Sequence, residues 1–183
     1  MIWLLPEKTE INGKSYAFHT DFREVLKIIG FLNGELPEFI RWQVALRLFY
    51  KEPVAEEDEM AAAEYLAWFL AGGETPEGQP GPRLLDWEQD ASAIVSDINR
   101  VAGCEIRALP HVHWWTFLSW FHAIGEGQLS LLVTIRDKRR RGEKLTKAEQ
   151  EFYRQNKARV ELKKAYSAEE LAQQARLKKL LGE

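Results

Sequence analysis

The stretch HVHWWTFLSWFHAIGEGQLS, residues 111–130, constrains the fold more than any other part of the sequence. Its first twelve residues hold three tryptophans, two phenylalanines and three histidines. One helical stripe contains Trp114, Phe117, Leu118 and Phe121, whereas Trp115 and Trp120 fall outside its centre. We predict a helix from His111 to Ile124, between Pro110 and Gly125. A helix this apolar is either the centre of a helical bundle or a core helix whose second face awaits a partner.

Helical periodicity, bounded by capping residues, prolines and glycines, fills most of the remaining sequence. Capping boxes are predicted at Asp21 with Glu24, at Thr146 with Glu149 and at Ser167 with Glu170, and Asp86 is a further predicted cap. The segment that follows Pro37 is apolar around most of its circumference. The predicted helical segments lie within residues 20–34, 37–53, 56–73, 85–103, 127–142, 145–166 and 167–183.

The dipeptide Asn12-Gly13 lies between two short apolar-bearing runs and favours a type I′ turn, which predicts a β-hairpin. The expected fold is therefore mainly α, a compact helical bundle of about six to seven helices with a short N-terminal β-hairpin. At 183 residues the chain fits one domain, expected at 1–165, followed by a C-terminal helical tail at 166–183. Residues 72–83 hold four glycines and three prolines, which favours a flexible insertion over a boundary between subdomains.

Composition indicates where the protein works. It has one cysteine, a beginning without a secretory signal pattern, and no apolar run near the roughly 20 residues that cross a bilayer. We expect a soluble protein of a reducing cytoplasm, without a membrane partner. Residues 1–90 hold 8 Lys and Arg against 17 Asp and Glu, whereas residues 136–164 hold 12 against 5. Such polarity steers a charged partner or pairs copies of the chain.

Catalytic and metal chemistry has weak support in the sequence. Cys104, His111, His113 and His122 are zinc-ligand types, but His111 and His113 would point about 200° apart on a helix. His122 and His19 are general-base types with no acid paired to them in the sequence. The glycines of GEGQ, residues 125–128, lack the lysine of a phosphate loop. We therefore predict no enzyme, cofactor or metal, and a small hydrolase using histidine or metal remains a competing hypothesis.

The basic run RDKRRRGEKLTK, residues 136–147, raises the alternative of nucleic-acid binding, with Phe152 and Tyr153 as stacking side chains. Cations also favour the C-terminus of a helix, where this run begins. The chain as a whole has a negative net charge, which makes nucleic acid a less favoured partner.

The segment PHVHWWTFLSWFHAIGEGQLSLLVTIRDKRRRGEKLTKAEQEFYRQNK and the opening LLPEKTEINGKSYAFHTDFREVL resemble a family of tail-region proteins from phages and prophages of Gram-positive bacteria. The resemblance covers residues 1–165, apart from the loop at 72–83. Members of this family look like tail assembly chaperones, encoded between the tail tube and tape measure proteins.

The resemblance implies a non-catalytic protein of the bacterial host cytoplasm that is absent from the mature virion. It would bind the tape measure protein, assist tail tube assembly through contact with the tube protein, and self-associate. The alternative function is a nucleic-acid-binding accessory protein of a phage or prophage gene cluster. The candidate partner-binding residues are aromatic and histidine side chains off the core stripe together with a basic rim: Trp115, Trp120, His122, Arg136, Arg139, Arg140 and Arg141.

Overall fold

The computed structural model describes residues 4–75 and 81–163, and within these ranges the chain is mainly helical with one β-hairpin. The strands are β1 (Lys8–Ile11) and β2 (Lys14–Ala17). The helices are α1 (Phe22–Leu32), α2 (Glu38–Phe49), α3 (Glu59–Leu70), α4 (Ala91–Ala102), α5 (Trp114–His122), α6 (Gln128–Arg141), α7 (Lys147–Gln155) and α8 (Lys157–Val160). Short 3-10 helices span Glu56–Asp58 and Ile106–Ala108. The predicted fold class is confirmed.

The N-terminal hairpin forms at the predicted dipeptide. Asn12 and Gly13 adopt φ angles of 50° and 77°, the left-handed pair that a type I′ turn requires. The carboxylate of Asp58 is fully buried beneath the hairpin, where it accepts hydrogen bonds from the Tyr16 hydroxyl at 2.6 Å and the Asn12 amide at 2.7 Å. These bonds fasten the turn to the start of α3, because a buried carboxylate needs such donors.

The buried apolar side chains form one continuous cluster through the hairpin and the helices. Several rings stack in it, among them Phe18 on Phe49 at 4.6 Å between centroids and Phe22 on Phe117 at 4.7 Å. Helix α1 packs against α2, while α4 contacts both α5 and α6. Helix α5 therefore lies inside the fold, and its predicted stripe residues Trp114 and Phe117 are each 1% exposed.

The beginning of α5 differs from the prediction. The helix begins at Trp114 and ends at His122, and the preceding residues His111 to His113 are not helical. The Phe22 N–H donates to the Val112 carbonyl at 3.0 Å, and the Trp114 N–H donates to the Thr20 carbonyl at 2.7 Å. These bonds to the segment before α1 use backbone groups of 112–114 that a longer helix would need, so the expected start at His111 is wrong.

Of two other predicted helix starts, one lies at its predicted capping residue and one does not. Thr146 and Glu149 form the predicted capping box at α7. Asp86 accepts from the backbone N–H groups of Glu88 and Gln89, but it caps a turn rather than the helix, which begins five residues later at Ala91. The predicted segment 145–166 is divided into α7 and α8 at Asn156.

Three predictions fall outside the described residues: the Ser167 capping box, the tail at 166–183 and the middle of the loop at 72–83. None of the helices in the described part of the chain has the length and apolar character needed to cross a membrane.

Candidate functional site

The adjacent tryptophans of α5 close the end of α3. The Trp114 indole N–H donates to the Leu70 carbonyl at 3.0 Å, and the Trp115 indole N–H donates to the Phe69 carbonyl at 2.9 Å. The last carbonyls of a helix have no partner within the helix, so the Trp114 indole satisfies a carbonyl that would otherwise be orphaned. The Phe69 carbonyl also accepts from the Gly72 N–H at 3.1 Å. Trp115, a candidate partner-binding residue, is thus half-buried and bonded inside the fold.

The glycines after α3 leave room for side chains of α5. Gly73 has a φ of 85°, and a Cβ built on it would lie 2.7 Å from Cη2 of the Trp115 ring. Both the backbone conformation and the close approach therefore require glycine at this position. Gly73 thus makes room for the indole, while Gly72, where a Cβ would lie 3.2 Å from Leu118, makes room for the next turn of α5.

His113 is the N-cap residue of α5, directly before Trp114, and it is almost completely buried. Its Nδ1 accepts a hydrogen bond from the Trp115 backbone N–H at 3.1 Å, which leaves the ring proton on Nε2, 3.0 Å from the Pro6 carbonyl. Burial lowers the pKa of His113, although the bond to Pro6 opposes this. The ring thus acts as a neutral helix cap.

The other metal-ligand types do not converge on His113. His111 lies 3.0 Å from the Thr20 hydroxyl, and Cys104 and His122 are exposed. Within residues 4–75 and 81–163, no group of three or more His, Cys, Asp and Glu side chains is placed to hold a metal ion. His111 and His113 therefore have separate structural partners.

Arg136 lies in the interior, which removes it from the expected basic rim. Its guanidinium forms a bidentate ion pair with Asp90, at 2.6 and 2.8 Å, and both side chains are at most 5% exposed. It also donates to the carbonyls of Leu84, Arg159 and Val160. These bonds join α6 to α8 and to the segment before α4, and all of the guanidinium nitrogens have acceptors inside the chain.

The remaining arginines of the basic rim are exposed at the end of α6. Arg139 lies over the Tyr153 ring at 3.9 Å from its centroid and 3.5 Å from Glu161. Arg140 and Arg141 both pair with Asp137. Their positive charge is therefore partly neutralised within the chain, and a phosphate would compete with these carboxylates.

In the glycine turn GEGQ, the place that a bound phosphate would take is occupied by the Asp97 carboxylate. Asp97 of α4 is buried and accepts from the Leu129 N–H at the start of α6, at 2.9 Å. A Cβ on Gly127 would lie 2.5 Å from both Asp97 oxygens. The positive end of the α6 dipole is thus occupied by Asp97, and the turn has a structural role.

Trp120 lines a cleft beside the N-terminal segment. The cleft has a volume of about 320 Å³ and is bounded by Leu5, Leu109, Thr116 and Trp120, with Glu7 and His111 among its polar groups. Trp120 is half-buried, and His122 follows it at the exposed end of α5. Of the predicted aromatic contacts, Trp120 alone faces an open cavity of the described fold.

A second accessible apolar surface lies at the corner between α1 and α2. We name it the corner patch, and it comprises Phe31 (46% exposed), Leu36 (49%), Phe39 (66%) and Ile40 (38%). The buried residues of α2, Ala45, Leu46 and Phe49, lie in its second half. Phe39 lies on the same side as Leu46 but two turns earlier, at the exposed start of the helix, whereas Ile40 lies on a different side. The apolar positions around the segment after Pro37 are the signal for this surface in the sequence, but they do not show which of them stay exposed.

Comparison with known proteins identifies the family. The chain matches the family model described as "Bacteriophage Gp15 protein" over residues 1–162. Searches of the curated proteins and of the solved structures gave no match. The matched range includes the hairpin, the corner patch and all eight helices described above, so this chain belongs to the bacteriophage Gp15 protein family.

Proposed function

We propose that this phage protein is a non-catalytic tail assembly chaperone that binds the tape measure protein and assists tail tube assembly in the host cytoplasm. Family membership supports a role in a phage, and the resemblance of the HWWTF and EFYRQN segments supports the tail. The structural observation that carries the proposal is the corner patch. Four large apolar side chains within ten residues are costly to leave in water unless a partner covers them.

The interior of the protein supports a binding role rather than catalysis. The buried carboxylates of Asp58, Asp90 and Asp97 each accept hydrogen bonds that hold two elements together. His113 and Arg136 are bonded in the same way. These are groups from which acid–base chemistry would be built, and here they fasten the hairpin to α3, fasten α6 to α4 and α8, and cap α5.

The proposed mechanism is protection of apolar helix faces. A tape measure is a long, mostly helical chain, and its apolar stripes would associate with each other before tube subunits enclose them. A helical protein covers such a stripe when Phe39 and its neighbours pack against it, in the manner of a helix in a groove. Many weakly bound copies along one tape measure act together through avidity.

The Trp120 cleft is a second candidate surface on the same protein. Leu5 at its edge is 49% exposed, and His122 and the exposed Arg139, Arg140 and Arg141 are the other predicted partner contacts that remain accessible. We rank it below the corner patch because Trp120 is half-buried, so a partner covers less new apolar area there.

The test is capture of tape measure fragments by the purified full-length protein. Phe39→Ser should abolish capture, whereas Met60→Ser, which changes a residue 79% exposed on α3, should not. Equal capture by both variants and the unchanged protein would remove the corner patch from the proposal.

Nucleic-acid binding is tested on the same preparations. We expect the ultraviolet absorbance ratio of the purified protein to show no retained nucleic acid, and we expect the protein not to change the electrophoretic mobility of DNA. A shift with a steep salt dependence, lost in Arg140→Ala and Arg141→Ala, would replace the chaperone proposal by the nucleic-acid alternative.

A further inference from the structure

Strand β1 has backbone groups that point away from the hairpin. The Phe18 N–H donates to the Glu7 carbonyl at 3.1 Å, which makes these two residues a hydrogen-bonded pair of the ladder. Such pairs alternate with non-hydrogen-bonded pairs in an antiparallel hairpin, and Lys8 and Glu10 belong to the second kind. The N–H and C=O groups of Lys8 and Glu10 are therefore directed to the outer side of β1.

The outer side of β2, in contrast, is covered. The Lys51 N–H donates to the Ala17 carbonyl at 2.9 Å, and the His19 N–H donates to the Phe49 carbonyl at 2.8 Å. These bonds continue the ladder from β2 to the end of α2. Within residues 4–75 and 81–163, no strand pairs with the outer side of β1. An edge of this kind is a template on which another strand can form.

The open edge is limited to two residues. Pro6 precedes it and has no N–H, and the Pro6 carbonyl already lies 3.0 Å from Nε2 of His113. Asn12 follows the edge in the turn, with a φ of 50°. Lys8 and Glu10 lie between these limits, and their exposed side chains share one face of the strand because side chains alternate along it.

The two charges on this edge are complementary to a second copy of the same edge. Across the hairpin, Lys8 faces Ala17. Glu10 faces Ser15, so neither charge meets an opposite charge there. When a second β1 lies antiparallel with the two Thr9 residues opposite each other, Lys8 of each copy faces Glu10 of the other. Registers that place Lys8 opposite Lys8, or Glu10 opposite Glu10, oppose like charges and are disfavoured.

The backbone and the other charges of the hairpin agree with this register. Both members of each Lys8–Glu10 pair have outward backbone groups, so each pair can exchange two hydrogen bonds. Lys14 is turned to Glu57, at 2.8 Å, and to the buried Asp58, and takes no part in the edge. Charges on a short edge strand usually keep other strands away, whereas these charges match when the strand meets its own copy.

We infer that two copies of this chain associate through β1, with a two-fold axis at Thr9 and a continuous antiparallel sheet in the order β2-β1-β1-β2. The contact is weak and reversible, because a pairing this short buries much less than the roughly 800 Å² per partner of a stable interface. The inference names a surface for self-association, and it does not depend on the proposed function.

The test is a charge exchange followed by sedimentation equilibrium of the full-length protein under reducing conditions. Lys8→Glu and Glu10→Lys each place like charges opposite each other in a homodimer, so each variant should dimerise about tenfold more weakly than the unchanged protein. An equimolar mixture of the two variants restores opposite charges at both pairs, and its heterodimer should form within a few-fold of the unchanged protein. Lys51→Glu is the matched control, since it makes the same change of charge at the covered edge.

Amide hydrogen exchange measured by NMR locates the contact. The N–H groups of Lys8 and Glu10 should exchange at least about twofold more slowly as the protein concentration rises into the millimolar range. The N–H of Ser15, which points to the outer side of β2, should not change.

Three results would overturn the inference: a monomer at every concentration up to the millimolar range, dimerisation that is unchanged in Lys8→Glu, or a mixture of the two variants that stays monomeric. Dimerisation lost in Phe39→Ser but kept in Lys8→Glu would also overturn it and assign self-association to the corner patch. If the dimer is absent while Phe39→Ser still loses tape measure capture, this inference falls and the proposed function stands.

Discussion

Helix α5 and the corner patch are both rich in large apolar side chains, yet they face opposite environments. In α5, Trp114 and Phe117 are almost fully buried, and Trp114 and Trp115 donate to carbonyls of α3. In the corner patch, Phe39 and Leu36 are half or more exposed. The stretch with the greater aromatic density thus builds the interior, and the less conspicuous segment provides the accessible surface.

The difference between the two regions lies in the polar groups of their side chains. An indole N–H can satisfy the open end of another helix, so a tryptophan pair is suited to joining α5 to α3. Phenylalanine, leucine and isoleucine have no such donor and stabilise only by removal from water. Leaving them exposed gives no structural benefit to the isolated protein, which is why the proposed function assigns its partner to the corner patch.

The largest expected effect is on stability in α5. Trp114→Ala should lower the free energy of unfolding by about 3–5 kcal/mol, since it opens a cavity and leaves the Leu70 carbonyl without its donor. Phe39→Ala should change it by less than about 0.5 kcal/mol, because the side chain is mostly in water. Urea unfolding of the two variants measures the contrast, and similar losses would contradict the assignment of one region to the core and the other to the surface.

The contact between Gly73 and the Trp115 ring provides a more local test, with a smaller expected change in the free energy of unfolding. Gly73→Ala should lower the free energy of unfolding by about 1–3 kcal/mol through the clash with the indole and the positive φ angle. Gly103→Ala is the matched control, since Gly103 has a φ of 71° with no atom within 4 Å of the added Cβ. The difference between the two variants isolates the contact with Trp115. Equal effects would mean that α5 does not press on the end of α3.

The cap of α5 should make stability depend on pH. Burial lowers the pKa of His113 below its ordinary value of 6.5, so the unfolded chain binds the proton more readily than the folded one. The contribution of neutral His113 is complete above pH 6.5 and is lost as the pH falls from there through the lowered pKa. His113→Asn keeps a capping acceptor without a titrating ring, so its thermal midpoint should vary less between pH 6.5 and pH 5. An unchanged pH profile in this variant would count against His113 as the neutral cap.

Local chemistry allowed much of the fold to be predicted from the sequence. Asn12-Gly13 specified the hairpin turn, and Thr146 with Glu149 specified the start of α7, because each signal acts within a few residues. The spacing of Trp114 and Phe117 correctly identified the buried stripe of α5. Periodicity reports on one face of one element, and that information is present in the chain itself.

Long-range pairing accounts for what the sequence did not reveal. Arg136 reads as a member of a basic run, and only the fold brings Asp90 beside it from 46 positions away. The start of α5 was misplaced because the hydrogen bonds of Val112 and Trp114 go to the segment before α1. The corner patch was missed for a related reason: periodicity shows that α2 is apolar nearly all round, but which side stays exposed depends on the packing of α1 and α3 against it.

The central claim is that the partner binds the corner patch rather than the aromatic stretch. The most direct measurement is a titration of one tape measure fragment with Phe39→Ser and Trp120→Ser, each accompanied by its thermal unfolding midpoint. Phe39→Ser should weaken binding by about tenfold or more, the loss expected for an anchor residue, with its midpoint unchanged. Trp120→Ser should bind within a few-fold of the unchanged protein. Unaltered binding by Phe39→Ser, with binding lost in a folded Trp120→Ser, would contradict the account and move the partner site to the cleft beside α5.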